Sequence, residues 1–175
     1  VNNAGIGVLA ALEATSMAAA REVFETNTLG TIALTRALLP QFRERGAGVI
    51  VNVTSTVTLR PLPLLSVYTA SKAAVMAFTE SLALELEPLG IRVRLVLPGI
   101  SLQTRFGENA RPRMQEEVPA AYAELTRRVF EGFDHVALVT EPQDVAEAVW
   151  RAATDPTCPM RLPAGADAVA LAGAV

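Results

Sequence analysis

The sequence predicts an α/β fold in which helices cover both faces of a parallel sheet. Three observations carry this. Two short β-rich runs read as strands: Gly48-Val-Ile-Val-Asn-Val-Thr54, whose apolar, β-branched content fits a sheet covered on both faces, and Ile91-Arg-Val-Arg-Leu-Val-Leu97, stopped by Pro98-Gly99. Longer stretches with helical spacing alternate with them, over about 17–45, 67–87 and 142–153. Turn formers separate the two kinds of segment: Gly46 and Gly48, Pro61 and Pro63, Pro88 with Gly90, and Pro98-Gly99.

Each element has a local reason. Val1–Ala4 reads as the end of a strand that runs into Gly5 and Gly7. Ser16 is an N-cap, and an Ala-rich amphipathic helix follows to about Gln41–Arg45. Pro40 lacks an N–H and is expected to kink or loosen the last turn, with Gly46 and Gly48 ending the helix. The next helix, from about Val67 to Glu87, stops before Pro88. Residues 100–135 are rich in Arg, Glu and Pro and read as a helical insertion over the carboxyl edge of the sheet, on the substrate side. Pro142 suits the first turn of a further helix, and Met160–Pro163 suits a last short strand. Four strands are expected in all.

Composition removes several classes of function. Cys158 and His135 are the only cysteine and histidine. A disulfide framework, a Cys/His metal site and Ser-His-Asp hydrolysis therefore lack their residues, and no metal is expected. The net charge of -3 and the absence of a basic patch argue against nucleic acid or an anionic membrane as partner. Arg111, Arg113, Arg127 and Arg128 are interleaved with acids and read as a solvated helix face. No apolar run reaches the ~18 residues of a membrane span, and no signal peptide is evident, so a cytoplasmic location is the expectation.

The chemistry lies in Tyr68-Thr-Ala-Ser-Lys72. On a helix, positions i and i+4 share a face one turn apart. An ammonium beside a phenol favours the phenolate and is expected to draw the tyrosine toward neutrality, where it can serve as general acid or base. By itself such a pair is common on ordinary helices. Ser55, however, stands at the carboxyl end of the strongest strand, where open α/β sheets bind their ligands. A hydroxyl and a tuned phenol can then meet at one substrate oxygen.

With three further pieces in order, this set resembles the short-chain dehydrogenase/reductase family over nearly the whole chain. Asn2-Asn3-Ala4-Gly5 resembles the turn after that family's fourth strand. Asn27, within Thr26-Asn-Thr-Leu-Gly30, resembles the helix asparagine of its catalytic tetrad, which Ser55, Tyr68 and Lys72 complete. Pro98-Gly99 resembles the turn beside the nicotinamide. The resemblance implies a Rossmann-like three-layer sandwich, of which 1–175 would be the catalytic half, the C-terminal part of a doubly wound parallel sheet with strands four to seven. It also implies roles. Tyr68 would exchange the proton with the substrate oxygen, Ser55 would hold that oxygen, and Lys72 would lower the Tyr68 pKa and bind the nicotinamide ribose. Asn27 would hold a water linking Lys72 to solvent. Asn3, Ala4, Gly5, Tyr68, Lys72, Pro98, Gly99 and Ile100 would line the cofactor, NADP or NAD. Two positions depart from the family pattern: Arg94 replaces an asparagine, and Gln103 stands where a threonine is usual, with Thr104 one residue later.

The family's phosphate-binding loop and its NAD-or-NADP selector precede the fourth strand, so roughly 80 residues at βα-unit sizes are expected upstream of Val1. Gly5-Ile-Gly7-Val-Leu-Ala10 matches G-x-G-x-x-A, but Asn-Asn precedes it and Glu22 and Glu25 lie in a helical pattern instead of closing a second strand. By itself, 1–175 is expected to have little activity and to aggregate at its unpaired sheet edge. The expected function of the complete protein is alcohol–ketone interconversion on a lipophilic small molecule. Leu59–Leu65, with Leu62 facing substrate alongside Ser55 and Tyr68, would wall the pocket. The Ala- and Leu-rich helices suit a homodimer or homotetramer. A non-catalytic nucleotide sensor or scaffold, or an inactive fragment, is the alternative.

Overall fold

The computed structural model describes residues 1–110, 113 and 119–174. Its sheet is parallel, in the order β1 (Gly48–Val53), β2 (Ile91–Pro98), β3 (Arg161–Ala164). The register pairs Gly48 with Ile91 and Val53 with Val96, then Leu95 with Arg161 and Pro98 with Ala164. The expected N-terminal strand is reduced to one bridge: Asn2 N–H donates to Val51 O at 2.8 Å and Asn2 O accepts from Val53 N–H at 3.0 Å.

Alternation along the strands builds the three layers. Ile50, Ile91 and Val93 face α3 (Ser66–Leu86), meeting Leu82 and Leu86, with Leu39 and Phe42 of α2 (Gly30–Arg45) alongside. Val51, Val53 and Val96 face the other way, onto Ala148 and Ala152 of α6 (Pro142–Thr154), with Cys158 and Leu162. Arg92 crosses the sheet's lower end and donates to Ala153 O and Asp155 O at 3.2 and 3.0 Å, where the last carbonyls of α6 need donors.

The helix expected from Ser16 onward is interrupted. Ser16 does cap it, accepting from Ala19 N–H at 3.1 Å. After α1 (Met17–Phe24) the chain widens into a π turn, Glu25–Leu29, before resuming as α2. Pro40 does not end α2, which runs to Arg45 and stops where Gly46 turns left-handed at φ 61°. Gly48 is the first residue of β1 and plays no part in ending the helix. Among the described residues, the stretch 100–135 holds α4 (Phe106–Ala110) and α5 (Ala123–Asp134), the latter entered through a 3-10 turn at Ala120–Tyr122. Of its arginines, Arg113 pairs with Glu22, and Arg127 and Arg128 pair with acids on their own helix; Arg111 lies outside the described residues. α7 (Ala166–Ala172) is an element the sequence reading lacked.

Candidate active site

Four polar side chains are buried where β1 ends: Asn27, Ser55, Tyr68 and Lys72, each less than a tenth exposed. β1 delivers Ser55, whose hydroxyl accepts from Val57 N–H at 3.3 Å and so caps the short turn Thr56–Thr58. The first turns of α3 deliver Tyr68 and Lys72. The Lys72 ammonium donates to Val53 O at 3.0 Å and stands 6.0 Å from the centre of the Tyr68 ring. Thr54 N–H donates to Val96 O at 2.8 Å, which draws the chain leaving β1 against β2, whose end carries Pro98 and Gly99.

The protonation picture corrects the sequence expectation. Burial pushes the Tyr68 phenol up to about 12, with the Ser55 hydroxyl acting in the opposite sense. Burial draws the Lys72 ammonium down to about 8. Lys72 spends a donor on Val53 O, and loss of solvent is the largest influence on the phenol. The spacing of Tyr68 and Lys72 shows that they share a helix face; it does not show how dry that face is.

Asn27 sits in the π turn, 1% exposed. Gly30 N–H reaches back five residues to Glu25 O, and the extra residue turns the asparagine inward. Its side-chain oxygen accepts from Ile6 N–H at 2.8 Å. Its amide donates to Ile6 O at 2.9 Å and to Ser71 Oγ at 3.0 Å. Ser71 Oγ in turn donates to Tyr68 O at 2.7 Å. Asn27 therefore clamps the segment after Gly5 onto α3, and its amide is committed to these partners and makes no bond to Lys72. Gly5 passes so close that a Cβ there would lie 3.1 Å from Lys72 Nζ.

The other expected residues are less uniform. Asn3 and Ala4 are exposed beside the edge formed by Asn2, and Leu62 is half-buried. Leu64 holds a left-handed φ of 65°, unusual for leucine, with its carbonyl taken by Ala10 N–H at 2.9 Å. The displaced Thr104 is exposed and bonds within its own turn, to Ser101 O at 3.3 Å. Arg94 donates to Val93 O on its own strand at 2.9 Å. Three contributors escaped the sequence reading. Phe106 packs on Tyr68 with ring centres 5.5 Å apart, and Thr140 and Asp167 hold the backbone of Gly99 and Ile100. The glycine of Gly165-Ala-Asp167 at a strand end was the only available signal for that pair.

No group of three or more His, Cys, Asp or Glu that could hold a metal ion occurs among the described residues. No helix among them is long and apolar enough to cross a membrane.

A parallel sheet thus carries a hydroxyl, a phenol and an ammonium buried together at its carboxyl edge. A family model described as short chain dehydrogenase matches residues 1–115. An uncharacterized oxidoreductase of Schizosaccharomyces pombe is 32% identical over 169 residues, covering 94% of this chain and 69% of that protein. Among solved structures, a short-chain dehydrogenase from Streptomyces avermitilis superposes with a TM-score of 0.82 at 37% identity, covering 99% of this chain and 62% of that one. A short chain dehydrogenase from Burkholderia cenocepacia in complex with NADP gives 0.73 at 28%, covering 98% and 60%. The chain belongs to the short chain dehydrogenase family of oxidoreductases. It spans less than two thirds of the length of these solved relatives.

Proposed function

We propose that the complete protein is an NAD(P)-dependent oxidoreductase interconverting an alcohol and a ketone, with Tyr68 exchanging the proton at the substrate oxygen. The observation that carries this reading is the burial of Ser55, Tyr68 and Lys72 together at the carboxyl edge of β1. The residues fit the nicotinamide end of a dinucleotide. Glycine at position 5 leaves the Lys72 ammonium room above it. An ammonium has three donors, and Val53 O occupies one, so two remain for ribose hydroxyls. The bound NAD(P)H supplies the hydride. On this reading Asn3, Ala4, Gly5, Pro98, Gly99 and Ile100 would line that end of the cofactor.

The chain's own groups then divide the work. Ser55 donates to the substrate oxygen and holds it. Tyr68, its phenol raised by burial, is protonated at pH 7 and can donate that proton to the substrate oxygen in ketone reduction. Lys72 steadies the phenolate left behind, and Asn27 keeps α3 and the Gly5 segment in register with it. On this reading the half-buried Leu62, Leu64 and Leu65, with the Phe106 ring that packs on Tyr68, would give the pocket an apolar wall suited to a lipophilic substrate, with α4 on its outer side. Exposed Leu34, Leu38 and Leu84 on α2 and α3 support pairing into a homodimer or homotetramer.

Turnover of NADPH or NADH against a panel of apolar ketones by the full-length protein tests the reading. Turnover should be lost in Tyr68→Phe while dinucleotide binding persists. Unchanged turnover in that variant would refute the assignment.

A further inference from the structure

We infer that Thr140 and Asp167 are positioning residues that fix the Pro98–Ile100 turn, and through it the nicotinamide end of the cofactor site; this rests on the reading above. The two residues reach the turn from different elements. Thr140 precedes α6 and is 1% exposed, while Asp167 opens α7. Gly99 N–H donates to Thr140 Oγ1 at 3.0 Å, and Ile100 N–H donates to Asp167 Oδ2 at 2.6 Å. Ile100 O accepts from Thr140 N–H at 2.8 Å. The Thr140 hydroxyl lies 2.6 Å from Asp167 Oδ1 and 2.9 Å from Ala164 O, so its one proton has two acceptors to choose between. Successive amides of the turn are thus each held by a side chain, and those side chains hold each other.

Two glycines make the clasp possible. A Cβ at Gly99 would overlap the Asp167 carboxylate. A side chain at Gly165, where φ is 99°, would overlap Thr140. The clasp closes between β2 and β3, which are paired through Pro98 and Ala164. It therefore ties the C-terminal strand and helix to the loop that leaves β2 beside Ser55.

Hydrogen-bond chemistry separates positioning from mere packing. Asparagine at 167 keeps an oxygen for Ile100 N–H. Its amide can donate to Thr140 Oγ1, whose proton then turns to Ala164 O. Alanine leaves Ile100 N–H unmet and leaves the Thr140 hydroxyl only Ala164 O as acceptor, so the two side chains no longer hold each other. Valine at 140 keeps the shape of threonine but leaves Gly99 N–H only its longer bond to Ala164 O at 3.3 Å and removes the hydroxyl from Asp167, whereas serine keeps it.

The test uses the full-length protein, titrated with NADPH and NADH by fluorescence, together with hydrogen exchange of the Gly99 and Ile100 amides. Asp167→Ala and Thr140→Val should weaken binding of the preferred dinucleotide roughly tenfold and speed exchange at both amides. The rate at saturating cofactor should fall less than the affinity does. Asp167→Asn and Thr140→Ser should stay within about twofold of the parent in both measurements. Affinity unchanged in a folded Asp167→Ala protein, or Asp167→Asn as impaired as Asp167→Ala, would overturn the inference. Failure of the unsubstituted protein to bind either dinucleotide would instead overturn the functional reading, and this inference with it.

Discussion

The floor of the site and the segment beside it are built by opposite means. On the floor, Asn27, Ser71 and Lys72 are buried and bonded mainly to backbone groups, through bonds that link positions 19 to 44 residues apart. In the stretch 100–135 the polar contacts are exposed and mostly local: Arg127 with Glu124 and Glu131, Thr104 with Ser101. Beyond Ile100, which Thr140 and Asp167 hold, its longer reaches among the described residues, Arg113 to Glu22 and Tyr122 to Glu13, end on the segment just before and within α1. Buried polar bonds are costly to break, and exposed ion pairs contribute little. Geometry is therefore fixed around Asn27 and Lys72 and left adaptable in the surface helices that follow β2.

The two tyrosines state the contrast in one residue type. Tyr68 is raised to about 12 by loss of water. Tyr122 is also raised, but by its hydrogen bond to the Glu13 carboxylate at the surface. The same direction has two causes, and salt separates them, since only the surface contact is screened.

The comparison can be broken most sharply at Tyr68. Removing its hydroxyl in Tyr68→Phe should lower turnover of the full-length protein by about 10²–10⁴-fold with the fold intact, read by steady-state kinetics. Next is Asn27. Asn27→Ala leaves the Ile6 amide and carbonyl without their partner, and it should cost about 1–3 kcal/mol in urea unfolding. Replacing Leu64 and Leu65 by Asp should raise KM for apolar ketones while leaving kcat nearly untouched; an unchanged KM would remove that loop from the substrate wall.

A smaller effect is visible in pH. Lys72 has a folded pKa lowered to about 8, so the unfolded chain binds its proton more readily between about 8 and the ordinary 10.5. Its contribution to stability is unfavourable below that window and improves as pH rises through it. Tyr68 acts the other way: its contribution is present below 10 and is lost as pH rises toward about 12. Lys72→Met should abolish the first trend and leave the second, as urea midpoints across pH will show. Least of all, Arg113→Ala should shift the thermal midpoint only slightly, because its partner Glu22 stays half in water.

Legibility in the sequence followed the range of the interaction. Tyr68 and Lys72 are one turn apart and Ser55 ends an aliphatic strand, so local periodicity was enough to place them on one edge. The π turn was invisible, because Glu25-Thr-Asn-Thr-Leu29 has nothing to distinguish it from helix until Asn27 finds Ile6. Asp167 lies 67 residues from Ile100, and no spacing rule joins them. The Tyr68 phenol was misjudged for a related reason. Its environment is set by α3 pressing on β1 and by Phe106 arriving from a later segment, and these are tertiary facts.

The single bridge at Asn2 has a consequence of alignment. Asn2 Nδ2 donates to Asn52 Oδ1 at 2.7 Å and to Thr35 Oγ1 at 3.1 Å, and Asn52 Nδ2 donates to Thr79 Oγ1 at 2.8 Å. These bonds act as a key that admits the incoming segment at one position only. Because side chains alternate along an extended chain, a slip of one residue would turn Asn2 away from the lock and present Asn3 or Val1 to it. The same slip would carry Gly5 off the Lys72 ammonium and put a residue with a side chain in its place. An assembly error at the sheet's edge would thus be felt three residues later as a chemical one.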